Sequence, residues 1–308
     1  MTTVADRPIV APVAERPAPA RRPGVGKLGL VLAAAALAAG AVFCMRETWA
    51  DILNIATTDD EASQIYLVPI VAAWLLWVRR ARLRGLTPSQ TWIGPAFIVV
   101  GWTLNQLGDK FLVQSMWHFG AVVVVVGAIL SVAGAGFFLR FLPVFASLCF
   151  LVPVPGRVRQ AIAIPLQTAT AEVTRVSLDT FGVDVERVGN MLRINHRDVM
   201  VVEACNGLRM VFALTLVSYA FAYGVPLRNW IRVLIVLLSP VTAIVFNVLR
   251  LVPTVWAFGS YSEAVAQTVH DLSAWIMLPV AFLSLLGLMK LLRWAQVPIT
   301  PYVLAYGS

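Results

Sequence analysis

A thiol, a guanidinium and an imidazole held at one depth of a membrane form an acyl-transfer set, and this chain places one of each at corresponding points. Cys205 lies in Glu203-Ala204-Cys205-Asn206-Gly207-Leu208-Arg209 at the start of an apolar stretch. Arg250 ends Asn247-Val248-Leu249-Arg250 on the next stretch, and His270 opens the one after, in His270-Asp271-Leu272-Ser273-Ala274-Trp275. A cysteine in the first turn of a helix meets the partial positive charge of the helix N-terminus, which favours thiolate over thiol. Arg209, four residues on, shares that face and adds a second positive influence. Glu203 opposes it, or orients a neighbouring Arg or His. In such a set the thiolate attacks a peptide carbonyl, the imidazole relays a proton to the leaving amine, and the guanidinium stabilises the oxyanion. Asn247 shares a helix face with Arg250 at i, i+3 and stands with Arg209 as a second-tier candidate.

What must position these residues is a membrane fold. Of the 308 residues 59% are hydrophobic and 13% charged, with a mean hydropathy of +0.80. Soluble chains carry about 25% charged residues. Too few polar groups exist to cover a water-facing surface, which excludes a soluble globule, a disordered chain and a nucleic-acid-binding domain together. The three cysteines, Cys44, Cys149 and Cys205, are far apart, odd in number and outside any CxxC pair, so neither a disulfide framework nor a zinc site is expected. No cofactor is expected either. Phosphate-binding glycine loops, metal-ligand spacings and serine intramembrane-protease motifs are absent.

A bilayer core of roughly 30 Å takes about 20 apolar residues per helix. That measure predicts eight spans, over 28–45, 63–78, 91–107, 117–136, 138–153, 204–223, 230–250 and 272–292, the fifth interrupted by Arg140 and Pro143. Residues 1–27, broken by five prolines, read as a disordered tail, and 296–308 as a short C-terminal one. With a cytoplasmic N-terminus, fourteen of the 24 Lys and Arg fall on the inside, among them Arg79, Arg80, Arg82, Arg84, Arg140, Arg228 and Arg232, and fourteen of the 16 acids fall outside. The basic bias sets orientation. Both termini are thus expected in the cytoplasm, in a multi-pass inner membrane protein, with Cys205, Arg250 and His270 all at the outer edge. The topology argument used neither the cysteine nor the histidine.

The long outer segment 154–203 reads as an insertion in two parts. Ile162, Leu166, Ala169, Val173 and Val176 recur at helical steps over 157–181, an amphipathic helix on the membrane surface ending at Gly182. Val183–Val188, Met191–Ile194 and Val199–Val202, punctuated by Gly189-Asn190 and Asn195-His196-Arg197-Asp198, predict a small β-meander. The expected fold class is therefore an all-α integral membrane protein with a small extracytoplasmic insertion of amphipathic helix and β-meander.

Other polar residues have ordinary explanations. Cys44 and Cys149 read as small apolar helix residues, and His196 as a solvated loop histidine. Tryptophans such as Trp77, Trp92, Trp230 and Trp294 mark span ends, as interfacial belts do. His118 opens the fourth span, also on the outer side, and is the rival histidine.

These residues resemble the exosortase/archaeosortase membrane transpeptidases. The family pattern is A-C-S-G-[LI]-R, then N-x-x-R at the end of the next span, then a His opening the last. Here these are Ala204-Cys205-Asn206-Gly207-Leu208-Arg209, Asn247-Val248-Leu249-Arg250 and His270, with Asn206 in the place of Ser and no glycine after the histidine. Pro153-Val154-Pro155 and Val188-Gly189-Asn190 are similar too, so the resemblance covers about residues 30–295 and 28–295 is read as one domain. It implies a cysteine peptidase/transpeptidase with Cys205, Arg250 and His270 as its catalytic set. Its substrates would be membrane-anchored proteins bearing a C-terminal sorting signal: a short motif such as Pro-Glu-Pro, a helix and a basic tail. Cleavage would fall at the outer face, with a surface glycan or lipid as possible acceptor and no nucleic acid involved. Two other classes fit the same scaffold. One is a transporter or an export or polysaccharide-assembly subunit without covalent chemistry, against which the absence of mid-span carboxylates argues. The other is a membrane-bound acyltransferase.

Overall fold

The chain from Lys27 is Ala, Leu, Val and Gly almost without interruption, good helix formers with no polar face, and it forms α1 (Lys27–Cys44). The computed structural model describes residues 27–83, 92–189, 191–195, 197–200 and 207–294. At Met45 the chain turns by 82° into α2 (Arg46–Thr58), whose inner face is Thr48, Ile52 and Ala56. The expected first span, 28–45, ends at this bend. Asp59 then caps a 3₁₀ turn by accepting from the Glu61 amide at 3.0 Å, and α3 (Leu67–Val78) follows.

Next comes a hairpin of α4 (Ile93–Lys110) and α5 (Gln114–Ala133), turned at Leu112 with φ of 56°. Glycines let these helices touch backbone to backbone. A β-carbon on Gly101 would fall 2.7 Å from the Val124 amide nitrogen, and one on Gly127 2.7 Å from that of Ile98. With no hydrophobic drive between helices in lipid, such close small-residue seams carry the packing. Gly101→Leu is therefore expected to separate the hairpin and cost about 2 kcal/mol or more, seen as a lowered melting temperature and less monodisperse protein in detergent.

The expected fifth span is not one continuous helix. It is split into α6 (Ala135–Arg140), α7 (Leu142–Ser147) and a 3₁₀ turn over Leu148–Leu151. Gly134, at φ 77°, and Pro143 at the start of α7 break it, and Phe137, stacked on Phe141 and edge-on to Phe145, holds the pieces together. After a second 82° bend runs α8 (Gly156–Thr180), which contains Pro165. Its protein-facing side is Ala163, Thr170, Ala171, Thr174 and Leu178, while Ile162, Val173 and Val176 point outward about half exposed. An apolar stripe turned away from the protein is what a helix on a membrane surface presents.

Three strands follow: β1 (Val185–Val188), β2 (Met191–Ile194) and β3 (Arg197–Met200), an antiparallel meander pairing Val185 with Ile194 and Met191 with Met200. The third strand begins two residues earlier than the sequence suggests. Glu172 of α8 is bound by Arg175 at 2.8 Å and by Arg187 of β1 at 2.9 Å. These hydrogen bonds hold its carboxyl at about 2 instead of 4.5. A depressed carboxylate contributes stability above its ordinary value and loses it as pH falls towards the folded one. Protease resistance of the insertion should thus decline between about pH 4.5 and pH 2, modestly because the groups are exposed. Glu172→Gln should flatten that decline.

Three long helices close the chain: α9 (Gly207–Gly224), α10 (Asn229–Ser260) and α11 (Glu263–Trp294). They pack on one another around Met210, Leu214, Ala243, Ala281 and Leu285. Both α10 and α11 are longer than predicted. The spans expected to end at residue 250 and to begin at 272 instead continue ten residues further and start nine earlier. The reason is the insertion: Leu251 and Val255 of α10 are buried with Leu178, Leu192, Ile194 and Val199. There the helix runs on through Pro253.

Five helical segments are long and apolar enough to cross a membrane, and up to seven if each bent pair counts as one span. The remaining expected span, 91–107, is α4, whose last turns carry Asn105, Gln106, Asp109 and Lys110. Large side chains such as Leu237 and Leu283 face outward, 67% and 60% exposed, an apolar surface that a bilayer covers. The chain is a multi-pass, all-α membrane protein.

Candidate active site

Cys205 and Glu203 lie outside the described residues, as do Ala204 and Asn206. Directly after them α9 begins at Gly207, which is buried together with Leu208. A β-carbon on Gly207 would sit 2.9 Å from Asn247 Nδ2. The Asn247 carboxamide, 2% exposed, therefore lies close against Gly207, and no side chain larger than hydrogen fits at 207 without displacing it. Asn247 Oδ1 is buried with no hydrogen-bond partner among the described residues. A buried carbonyl oxygen without a donor is costly, so Oδ1 is an acceptor still open among the described residues, while Nδ2 is the atom that faces Gly207.

Arg250 follows one turn along α10. It is half-buried, and its Nε is buried without a partner among the described residues. One turn further, the fully buried Thr254 donates to the Arg250 carbonyl at 2.8 Å, and its Oγ1 lies 3.4 Å from Ser273 Oγ. Ser273 in turn donates to the His270 carbonyl at 2.8 Å. Each hydroxyl gives its one proton to a carbonyl of its own helix, and the contact between them brings the backbone turns of Arg250 and His270 together across adjacent helices. His270 Nδ1 lies 3.1 Å from Asp271 Oδ1, which also accepts from Gln267 at 3.1 Å. With Nδ1–H donated to this carboxylate, Nε2 keeps its lone pair, the tautomer of a general base.

Four of the sequence-derived residues are described: Asn247, Arg250 and His270 share the α10–α11 neighbourhood, and Arg209 is exposed on the first turn of α9. Arg250 does not end its helix and His270 does not open one; they lie ten residues before the end of α10 and seven after the start of α11. At 1.5 Å per residue both are about 10–15 Å from the turn joining the two helices. Thr254, Ser273 and Asp271 were missed from sequence. The signal for Thr254 was its spacing, seven after Asn247 and four after Arg250 on one face. The rival His118 is fully buried on α5, with Nε2 2.8 Å from Asp51 Oδ2. Its partner belongs to α2, not to α9, α10 or α11. Among the described residues no group of His, Cys, Asp and Glu is arranged to hold a metal ion.

Fold and site together define a multi-pass membrane protein with a polar cluster where its last three helices meet. Residues 49–287 match the family model of the transmembrane exosortases (Exosortase_EpsH). The match spans well over half of the chain, which belongs to that family. No curated protein matches the chain, and no solved structure does.

Proposed function

We propose that this exosortase is a cysteine peptidase/transpeptidase that cleaves C-terminal sorting signals at the outer face of the inner membrane, both termini being cytoplasmic. The observation that carries the reading is the contact of Asn247 with Gly207. It sets the start of α9, two residues beyond Cys205 in the sequence, against the helix bearing Arg250, and the contact of Thr254 with Ser273 brings that helix beside the turn bearing His270.

In this reading the Cys205 thiolate attacks the scissile carbonyl carbon and forms a C–S bond. Arg250 stabilises the oxyanion, or clamps a substrate carboxylate. The C–N bond then breaks as His270, protonated, gives its proton to the leaving nitrogen, leaving a thioester. Water or an amine on a surface acceptor attacks the thioester, neutral His270 takes that nucleophile's proton, and the thiolate is regenerated. Asn247 fixes the start of α9, while Arg209 and Glu203 shape the charge around the thiolate. The substrate's own membrane helix holds its scissile bond at the depth of Cys205, so confinement does much of the positioning.

The test is a trapped intermediate. Membranes holding the enzyme and a substrate with a motif, a helix and a basic tail are quenched in acid and run without reductant. A covalent enzyme–substrate band that hydroxylamine releases is expected. A substrate that is processed with no such band through rapid-quench times excludes the thioester route.

A further inference from the structure

The end of the bundle opposite Gly207 gathers arginines. Arg79, directly after α3, is 8% exposed, and its Nη2 donates to the Tyr223 carbonyl at 2.7 Å. That bond satisfies one of the open carbonyls at the C-terminal end of α9. Its Nε is buried without a partner among the described residues, as is that of Arg232 in the first turn of α10. The Arg232 guanidinium lies 5.5 Å from the centre of the Tyr223 ring, so both arginines meet at one tyrosine. Arg82 follows Arg79 on a 3₁₀ turn, its amide bonded to the Arg79 carbonyl at 2.8 Å, and Arg140 of α6 reaches the Arg82 carbonyl at 3.5 Å. Burial, then repulsion from Arg82 and Arg232, weakens the hold of Arg79 on its proton. Among the described residues no carboxylate forms an ion pair with any of the four.

Basic residues that serve only to orient a chain can remain at its surface in water. Arg79 does not: it is buried, and close cations repel it. A buried cation is stable when paired and hydrogen-bonded, and one carbonyl supplies a bond but no charge. Guanidinium groups from three elements converging without a carboxylate match an anion with several acceptor oxygens, above all a phosphate. The flanking surface suits a lipid, since Trp77 and Leu76 on the last turn of α3 are outward-facing, 61% and 37% exposed.

We propose that Arg79, Arg82, Arg140 and Arg232 form a binding site for the phosphate of an anionic lipid headgroup, at the end of the bundle away from the candidate active site. The bound phosphodiester lies between the end of α3, α6 and the start of α10, and its acyl chains run along the outer face of α3. The site is independent of the peptidase reading.

The experiment measures the melting temperature of the full chain in mixed micelles of phosphatidylglycerol or phosphatidylcholine, and in phosphatidylcholine with millimolar inorganic phosphate. Phosphatidylglycerol should raise it by roughly 2–6 °C over phosphatidylcholine. Arg79 helps hold α3 to α9, so the variant is Arg82→Gln/Arg232→Gln, which should melt normally in phosphatidylcholine and lose at least half of the shift. Native mass spectrometry should show a retained phosphatidylglycerol on the wild type and less on the variant. Equal melting in all three conditions overturns the site, as does a variant that keeps the full shift. If the variant already melts lower in phosphatidylcholine, retained lipid decides: equal retention on wild type and variant overturns the site. A shift reproduced by inorganic phosphate alone overturns the lipid assignment and makes the ligand a free anion.

Discussion

Cys205→Ala should leave a tailed substrate uncut in membranes where the protein is present at its normal level. The expected loss is complete, because removing the nucleophile of a covalent mechanism leaves no alternative route to the thioester. Cys205→Ser should be nearly as inactive, since a hydroxyl stays protonated where a thiol next to a helix N-terminus ionises. Cys44 and Cys149 supply the control. Both are free, at the ends or breaks of apolar helices, and alanine at either should leave processing intact. Blotting against the substrate reports cleavage, and blotting against the enzyme reports its amount. If Cys205→Ala processes normally, the nucleophile is misassigned and a non-covalent role in transport or export moves ahead.

How much of this was legible in the sequence differs from element to element. Apolar run length located α1, α3, α5 and α9 to within a few residues at most boundaries, because lipid imposes one length and one composition on a spanning helix. Gly182 and Gly189 punctuated the meander correctly, both having positive φ. Hydropathy missed events that depend on packing. The expected first span ends where α1 does, but composition does not show that the chain continues through an 82° bend into α2. Arg140 and Pro143 mark the fifth span as interrupted, whereas its break at Gly134 and the ring cluster of Phe137, Phe141 and Phe145 depend on packing. The overrun of α10 past Arg250 was hidden for a different reason. Pro253 looks like a stop in an isolated helix, but here Leu251 and Val255 are sealed against the β-meander, and that burial outweighs the lost backbone bond.

Within the site, residue types were legible and supporting contacts were not. Cys205, Arg250 and His270 are conspicuous because charged or reactive groups are rare in apolar helices. Thr254 and Ser273 are not conspicuous, since hydroxyls bonded to a carbonyl one turn back are common in such helices. Only the 3.4 Å approach between them shows that they join the two turns.

Arg250→Ala should lower the processing rate by about 10²–10³, the usual effect of removing one oxyanion donor, and the kinetic form of the loss separates its two possible roles. Arg250 is half-buried in the interior of α10, between Asn247 and Thr254, and its Nε lacks a partner among the described residues. A donor kept free for charge that develops only in the transition state depresses kcat and leaves KM unchanged. A clamp on a carboxylate already present in the substrate raises KM and spares kcat. Arg250→Lys distinguishes the roles further: a clamp retains much of its attraction with an ammonium, whereas an oxyanion donor needs the fixed fork of the guanidinium and does not recover. Varying the concentration of tailed substrate in proteoliposomes measures both constants. A variant with neither constant altered removes Arg250 from the mechanism, and the half-buried guanidinium is then a packing group between α10 and its neighbours.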